Sequence, residues 1–204
     1  MRLVARAGLD AMTVRDVAEG AGCSTAIVSH YFHNKKDLLF LTYRATIDQA
    51  TERADRAIAT SGGDLKAYLA EIMPLDEERV IEWKNWLAFW AKAVSDEEIA
   101  ADQRNCVLTT RGRIQAVLDQ LHARGDLLPG VDRAHAARHV LATITGMAVQ
   151  VMFDPADWPS ERQHDLIDTY LRTLYHPSRI PRSILPPTAA PAWREGIAAA
   201  LARG

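Results

Sequence analysis

The sequence predicts an all-α protein: a small N-terminal helix-turn-helix domain and a larger C-terminal helical domain. Three observations carry this expectation. Strand signals are almost absent along the 204 residues. Apolar residues recur at spacings of three and four, the repeat of a helix with one buried face. Gly, Asp and Pro punctuate the chain where helix ends would fall. Read this way, helices are expected over 2–7, 13–20, 24–31, 35–60, 64–73, 77–94, 96–124, 132–153 and 158–175. The domains run 1–45, 46–176 and 177–204, the last a proline-rich extended tail in which 192–203 has the spacing of one short amphipathic helix.

At 48% hydrophobic the chain can build a real core. No apolar run is expected to reach the length that spans a bilayer, and the first residues, Met1 to Gly8, lack the pattern of a signal peptide. The two cysteines, Cys23 and Cys106, stand far apart and in no metal or redox spacing, which fits a reduced, cytoplasmic setting. A net charge of -2 excludes a protein that coats nucleic acid by bulk charge. It leaves room for a small DNA-facing module: residues 1–45 carry six basic and four acidic side chains, net +2, against -4 for the rest.

The second and third helices carry the first functional pattern. Thr13 is placed to cap the helix over 13–20, with Asp16 near its positive end and Val14, Val17 and Ala18 as its apolar stripe. Gly22 follows, where a positive φ is often needed. Ser24 then caps a short helix whose apolar face is Ile27, Val28, Tyr31 and Phe32. Two short helices joined by a tight glycine turn form a helix-turn-helix, whose second helix enters the major groove. Its outward positions are Thr25, Ala26, Ser29 and His30. Hydroxyls at Thr25 and Ser29 suit base edges, and Ala26 suits a thymine methyl. His30 and Tyr31 suit phosphate, as does Lys35 at the start of the next helix. An αα-hairpin of purely structural purpose uses the same caps and turn.

The stretch Thr13-Val-Arg-Asp-Val-Ala18, with Ala21-Gly-Cys-Ser24 and Val28-Ser-His-Tyr-Phe-His-Asn-Lys-Lys-Asp-Leu-Leu39, resembles the signature of the TetR (tetracycline-repressor-like) family. The resemblance implies a dimeric repressor that binds double-stranded operator DNA and releases it on binding a small molecule. It implies base contacts from Thr25, Ala26 and Ser29, and phosphate contacts from Thr13, His30, Tyr31 and Lys35. Two departures stand out. Cys23 replaces the usual Val, and a buried thiol fills nearly the same space. The family's first helix begins well before the Gly8 position, so either the natural start lies upstream of Met1 or the first helix is truncated, which would leave Val17, Val28 and Phe32 partly uncovered.

In the helix over 77–94, Trp83, Trp86, Leu87, Trp90 and Val94 share one face, and Phe89 and Trp158 add to an aromatic interior. Such a stripe is ordinary core packing or an aromatic box. Trp is the best ring for a cation, and aromatic cages recognise quaternary ammonium groups. The string Trp83-Lys-Asn-Trp-Leu-Ala-Phe-Trp-Ala91 resembles the choline-responsive, BetI-like branch of the family. That resemblance implies a small cationic or amphipathic effector, such as choline or betaine aldehyde, held by Trp83, Trp86, Phe89 and Trp90. Asp76, Glu77 and Glu82 lie nearby in sequence and are expected at the surface.

The last two long helices are expected to form a homodimer interface. Ala142 and Gly146 allow close approach, and Leu166, Ile167, Tyr170, Leu171 and Leu174 present apolar bulk. A core within one subunit is the competing reading of the same stripe. His135 and His139 have a spacing that suits a metal, but no third ligand is evident, so no metal and no cofactor are expected. Nucleophile-elbow, dinucleotide and P-loop motifs are missing, so the chain is not expected to be an enzyme. The competing function is a helical ligand-binding or interaction module with a degenerate N-terminus.

Overall fold

The computed structural model describes Arg15, Ala18, Glu19, Ser24, Thr25 and residues 35–185. The expected helices at 2–7 and 192–203 lie outside the described residues, as do most of 13–20 and 24–31. Six longer α-helices follow: α1 Lys35–Thr60, α2 Leu65–Ala70, α3 Glu77–Ala93, α4 Glu97–Ala123, α5 Arg133–Phe153 and α6 Ser160–Arg172. Among the described residues there is no strand, only one isolated antiparallel bridge between Leu127 and Tyr175.

Local chemistry fixes most of these boundaries. Gly62 and Gly63, at φ 69° and 87°, close α1 in a conformation that side chains resist. Asp64, Asp76 and Asp132 cap α2, α3 and α5 by accepting from the backbone N–H of Lys66, Arg79 and His135, each at 2.9 Å. Asp96 accepts from Glu98 and Ile99 at the head of α4. The backbone N–H groups of His135 and Ala134 lower the Asp132 pKa, the His135 hydrogen bond foremost, with the charges of His135 and Arg138 acting in the same sense.

The chain divides into two compact units. One comprises residues 1–53 and 76–108, the other 54–75 and 109–204. The sequence boundary at residue 45 therefore falls inside α1, and α1 and α4 each contribute to both units. In the first unit Tyr43, Ala50, Trp83, Trp86, Phe89 and Ile99 are buried. In the second, Leu65, Leu69, Leu118, Val140, Ile144, Ile167 and Leu171 are nearly sealed from solvent. Contrary to the expectation that no apolar run reaches spanning length, α5 is long and apolar enough to cross a membrane by length and composition alone. Its Ala136, Ala137, Val140, Ile144, Met147, Ala148 and Val151 are buried, as in a core helix.

Two expectations change. The last helix runs from Ser160 to Arg172, not 158–175. Pro159 sets its start, and beyond Arg172 the chain pairs with the 126–128 segment instead: Leu128 N–H donates to Leu174 O at 2.9 Å and His176 N–H to Asp126 O at 2.8 Å. The stretch after 177 does not begin as a free tail. Residues 177–179 and 182–184 form two short 3-10 turns. Ile184 is buried, Arg172 donates to its carbonyl at 2.7 Å, and Lys66 donates to the Ser183 carbonyl.

Candidate functional site

The aromatic stripe of α3 meets α1 within the first unit, and Tyr43 of α1 in turn reaches α4. Trp83 and Trp86 are buried at 4% and 5% exposure, Phe89 completely, and Trp90 is half-buried. The Trp83 ring contacts Trp86 at 5.1 Å and 63° and Trp90 at 5.7 Å and 84°, both edge-to-face. The three indoles thus meet as walls of a corner. Phe89 stacks flat on Tyr43 at 3.7 Å and takes the edge of Phe40 at 5.5 Å.

Hydrogen bonds hold the rings in place. The Trp86 indole N–H donates to Thr46 Oγ1 at 2.8 Å, and that hydroxyl donates to the Tyr43 carbonyl at 2.7 Å. The Trp90 N–H points at the Tyr43 hydroxyl at a long 3.5 Å, and Tyr43 donates to Gln103 Oε1. Burial raises the Tyr43 pKa well above its ordinary value, so the phenol stays protonated and a donor. Burial likewise raises the Cys106 thiol beside it. A neutral, half-buried thiol is a packing group, not a nucleophile.

Glu82 departs from expectation. It is 5% exposed, not on the surface, and Arg53 holds it through two hydrogen bonds at 2.8 and 2.7 Å. Its charge is therefore already balanced, and any cation at the indoles would be held by ring faces. Asp76 and Glu77 are exposed, as expected. Val94 is 90% exposed and does not join the aromatic face, and Trp158 is half-exposed. Asn85 is also buried, at 4% exposure, although it is polar. The usable signal was its spacing: Asn85 is one turn from Phe89, as Glu82 is from Trp86.

Of the DNA-reading positions, Ser24 and Thr25 are exposed, Thr25 is helical, and Lys35 opens α1. Ala18 is 3% exposed and Arg15 and Glu19 face solvent, the pattern of a helix with one buried side. Thr13, Ala26, Ser29, His30 and Tyr31 lie outside the described residues. Of the interface positions, Ile167, Leu171 and Leu174 are 1%, 0% and 6% exposed in the single chain, so they belong to its own core. Ala142 and Gly146 are exposed, Leu166 is 38% exposed, and Tyr170 is half-buried with His139 stacked on it at 4.0 Å.

Comparison with known proteins identifies the family and the fold. Residues 1–41 match the family described as bacterial regulatory proteins, tetR family, and residues 63–176 match the BetI-type transcriptional repressor C-terminal family. The HTH-type transcriptional regulator BetI 2 of Chromohalobacter salexigens is 30% identical over 179 residues, covering 85% of this chain and 84% of that protein. A transcriptional regulator from Rhodococcus sp. Rha1 superposes with a TM-score of 0.73 at 28% identity, covering 85% of this chain and 90% of its own. A transcriptional regulator from Saccharomonospora viridis, solved in complex with choline, shares the fold with a TM-score of 0.72 at 23% identity, covering 86% and 93%. With two family models that together span both halves, this chain belongs to the TetR family of transcriptional regulators, with a C-terminal domain of the BetI-type repressor kind.

Proposed function

We propose that this regulator is a homodimeric repressor released from a palindromic operator by a small quaternary amine bound at Trp83, Trp86, Phe89 and Trp90. The observation that carries the ligand reading is the corner of indoles beside a carboxylate already neutralised by Arg53. Such a site attracts a weakly hydrated cation through ring faces and offers no free charge to a strongly hydrated one. The choline complex of the Saccharomonospora viridis regulator supports the same chemistry. Thr25, Ala26 and Ser29 are the proposed base readers, and Thr13, Ser24, His30, Tyr31 and Lys35 the proposed phosphate and capping contacts. Ligand binding shifts the population toward dimers whose recognition helices no longer match both half-sites.

A gel-shift assay with the gene's own upstream DNA tests this reading. Salt-sensitive, sequence-selective binding is expected, lost on adding choline but not on adding its uncharged carbon isostere. Lys35→Ala should weaken binding to every sequence and flatten the salt dependence, whereas Ser29→Ala should change sequence preference. Release by the isostere and not by choline would discard the amine. Equal losses on all sequences for both variants would overturn the residue roles.

A further inference from the structure

We propose that the cavity between the α1–α2 turn, the end of α4 and the strap over 175–183 binds a small organic dianion, a phosphate monoester or a dicarboxylate, through Arg179, Arg182 and the Tyr175 hydroxyl. The cavity measures about 350 Å³, and every residue lining it lies in the second unit, so none belongs to the indole site. Three arginines, Arg124, Arg179 and Arg182, line it with two carboxylates, Asp64 and Asp126. Three of these charged groups are already engaged. Arg124 donates through Nε to Asp126 and through Nη1 to the Gly62 carbonyl, both at 3.0 Å. Asp64 accepts from Ser183 Oγ at 2.8 Å and from the Lys66 N–H at 2.9 Å. Arg179 and Arg182 have no ion pair and no side-chain hydrogen bond among the described residues.

A second observation points the same way. Tyr175 also lines the cavity, is 3% exposed, and its hydroxyl has no hydrogen-bond partner among the described residues. A buried tyrosine hydroxyl usually has one. Burial, with Asp64 and Asp126 acting in the same sense, raises its pKa, so it remains a proton donor. A guanidinium group only donates, and its fork matches the paired oxygens of a carboxylate or phosphate. Two unengaged guanidinium groups therefore suit a dianion. The volume is roughly ten times a water molecule's ~30 Å³ share of the liquid, which leaves room for a carbon skeleton beside the charged groups. Arg179 and Arg182 stand on the strap and Arg124 on the segment that ends α4, so an anion held among them ties the strap to the helices.

Calorimetric titration of the full chain with glycerol 3-phosphate and with succinate, in about 0.15 M salt and with glycerol as the uncharged control, tests the site. At least one of the two anions should bind, one per chain, and glycerol should not; the tighter anion identifies the charged group the site takes. Binding should slow amide hydrogen exchange over residues 177–185. The double variant Arg179→Gln, Arg182→Gln should weaken binding about 100-fold or more, because two charge-assisted contacts are lost, and Tyr175→Phe about 5-fold, because one neutral hydrogen bond is lost. Both arginines are exposed and Tyr175→Phe keeps the ring, so the variants should retain the wild-type helix content. Failure of both anions to bind the wild type would overturn the site, and this arm needs no variant to fold. Undiminished binding by the double arginine variant, or unchanged exchange over 177–185 on binding, would also overturn it.

Discussion

Arg53 and Glu82 form the most enclosed ion pair beside the indoles, with side-chain exposures of 25% and 6%. The pair is parallel and bidentate, the geometry that best offsets the desolvation of both charges. Removing only the cation strands a buried carboxylate. Arg53→Met is therefore expected to destabilise the protein by about 3 kcal/mol, while the double variant Arg53→Met, Glu82→Leu recovers most of the loss. Urea denaturation of the two variants and the wild type measures this, and a double variant as unstable as the single one would refute the account. The pair also shows what a lone sequence hides. Glu82 lies one turn from Trp86, yet a carboxylate alone is expected at the surface, and its burial is tolerable only with a paired cation. Its partner comes from another helix, and nothing local in the sequence announces Arg53.

At the scale of elements, the helix starts were legible because their causes are local. Asp64, Asp76, Asp96 and Asp132 each cap a helix within three residues of themselves. The end of α6 was not, because the residues that follow it pair with a segment remote in sequence: Leu174 O accepts from Leu128 N–H and His176 N–H donates to Asp126 O. The docking of 177–185 was hidden for the same reason: Ser183 donates to Asp64 and Ile184 fills a core position. This docked edge contains a pH-sensitive group. His164 is half-buried beside the Lys66–Asp168 pair, and its pKa is lowered by burial first and by the Lys66 ammonium second. The neutral imidazole is thus favoured in the fold. Its contribution to stability is present above the unfolded value, about 6.5, and is lost as pH falls through the lower folded value. Burial moves Asp168 in the opposite sense, raising its pKa despite Lys66, but a carboxyl group titrates mainly in a more acidic range. The melting temperature should therefore fall as pH drops from about 7 to about 5, and His164→Gln should flatten that fall. An unchanged slope in the variant would place the acid sensitivity elsewhere.

At the scale of the whole molecule, reading a palindrome requires two recognition helices about 34 Å apart, which one subunit does not supply. The surface we propose for the second copy is the outer stripe of α5 with the exposed edge of α6. His135, His139, Ala142, Gly146 and Phe153 follow one another at helical spacing along α5, all exposed, and Phe153 is 83% exposed. Leu166 and Tyr170 continue the patch on α6. Gly146 is the informative residue. A Cβ built there meets nothing within 4 Å, so the packing of the subunit itself does not require a glycine. In a helix interior glycine costs about 1 kcal/mol relative to alanine. A close partner helix gives that cost a purpose, because small residues let helices approach. Gly146→Trp should therefore leave helix content and the subunit core intact, shift sedimentation from dimer to monomer, and weaken binding to a two-half-site operator far more than binding to a single half-site. Gly146→Ala should stay dimeric. A Gly146→Trp protein that sediments as a dimer and retains full operator binding would move the interface off this stripe.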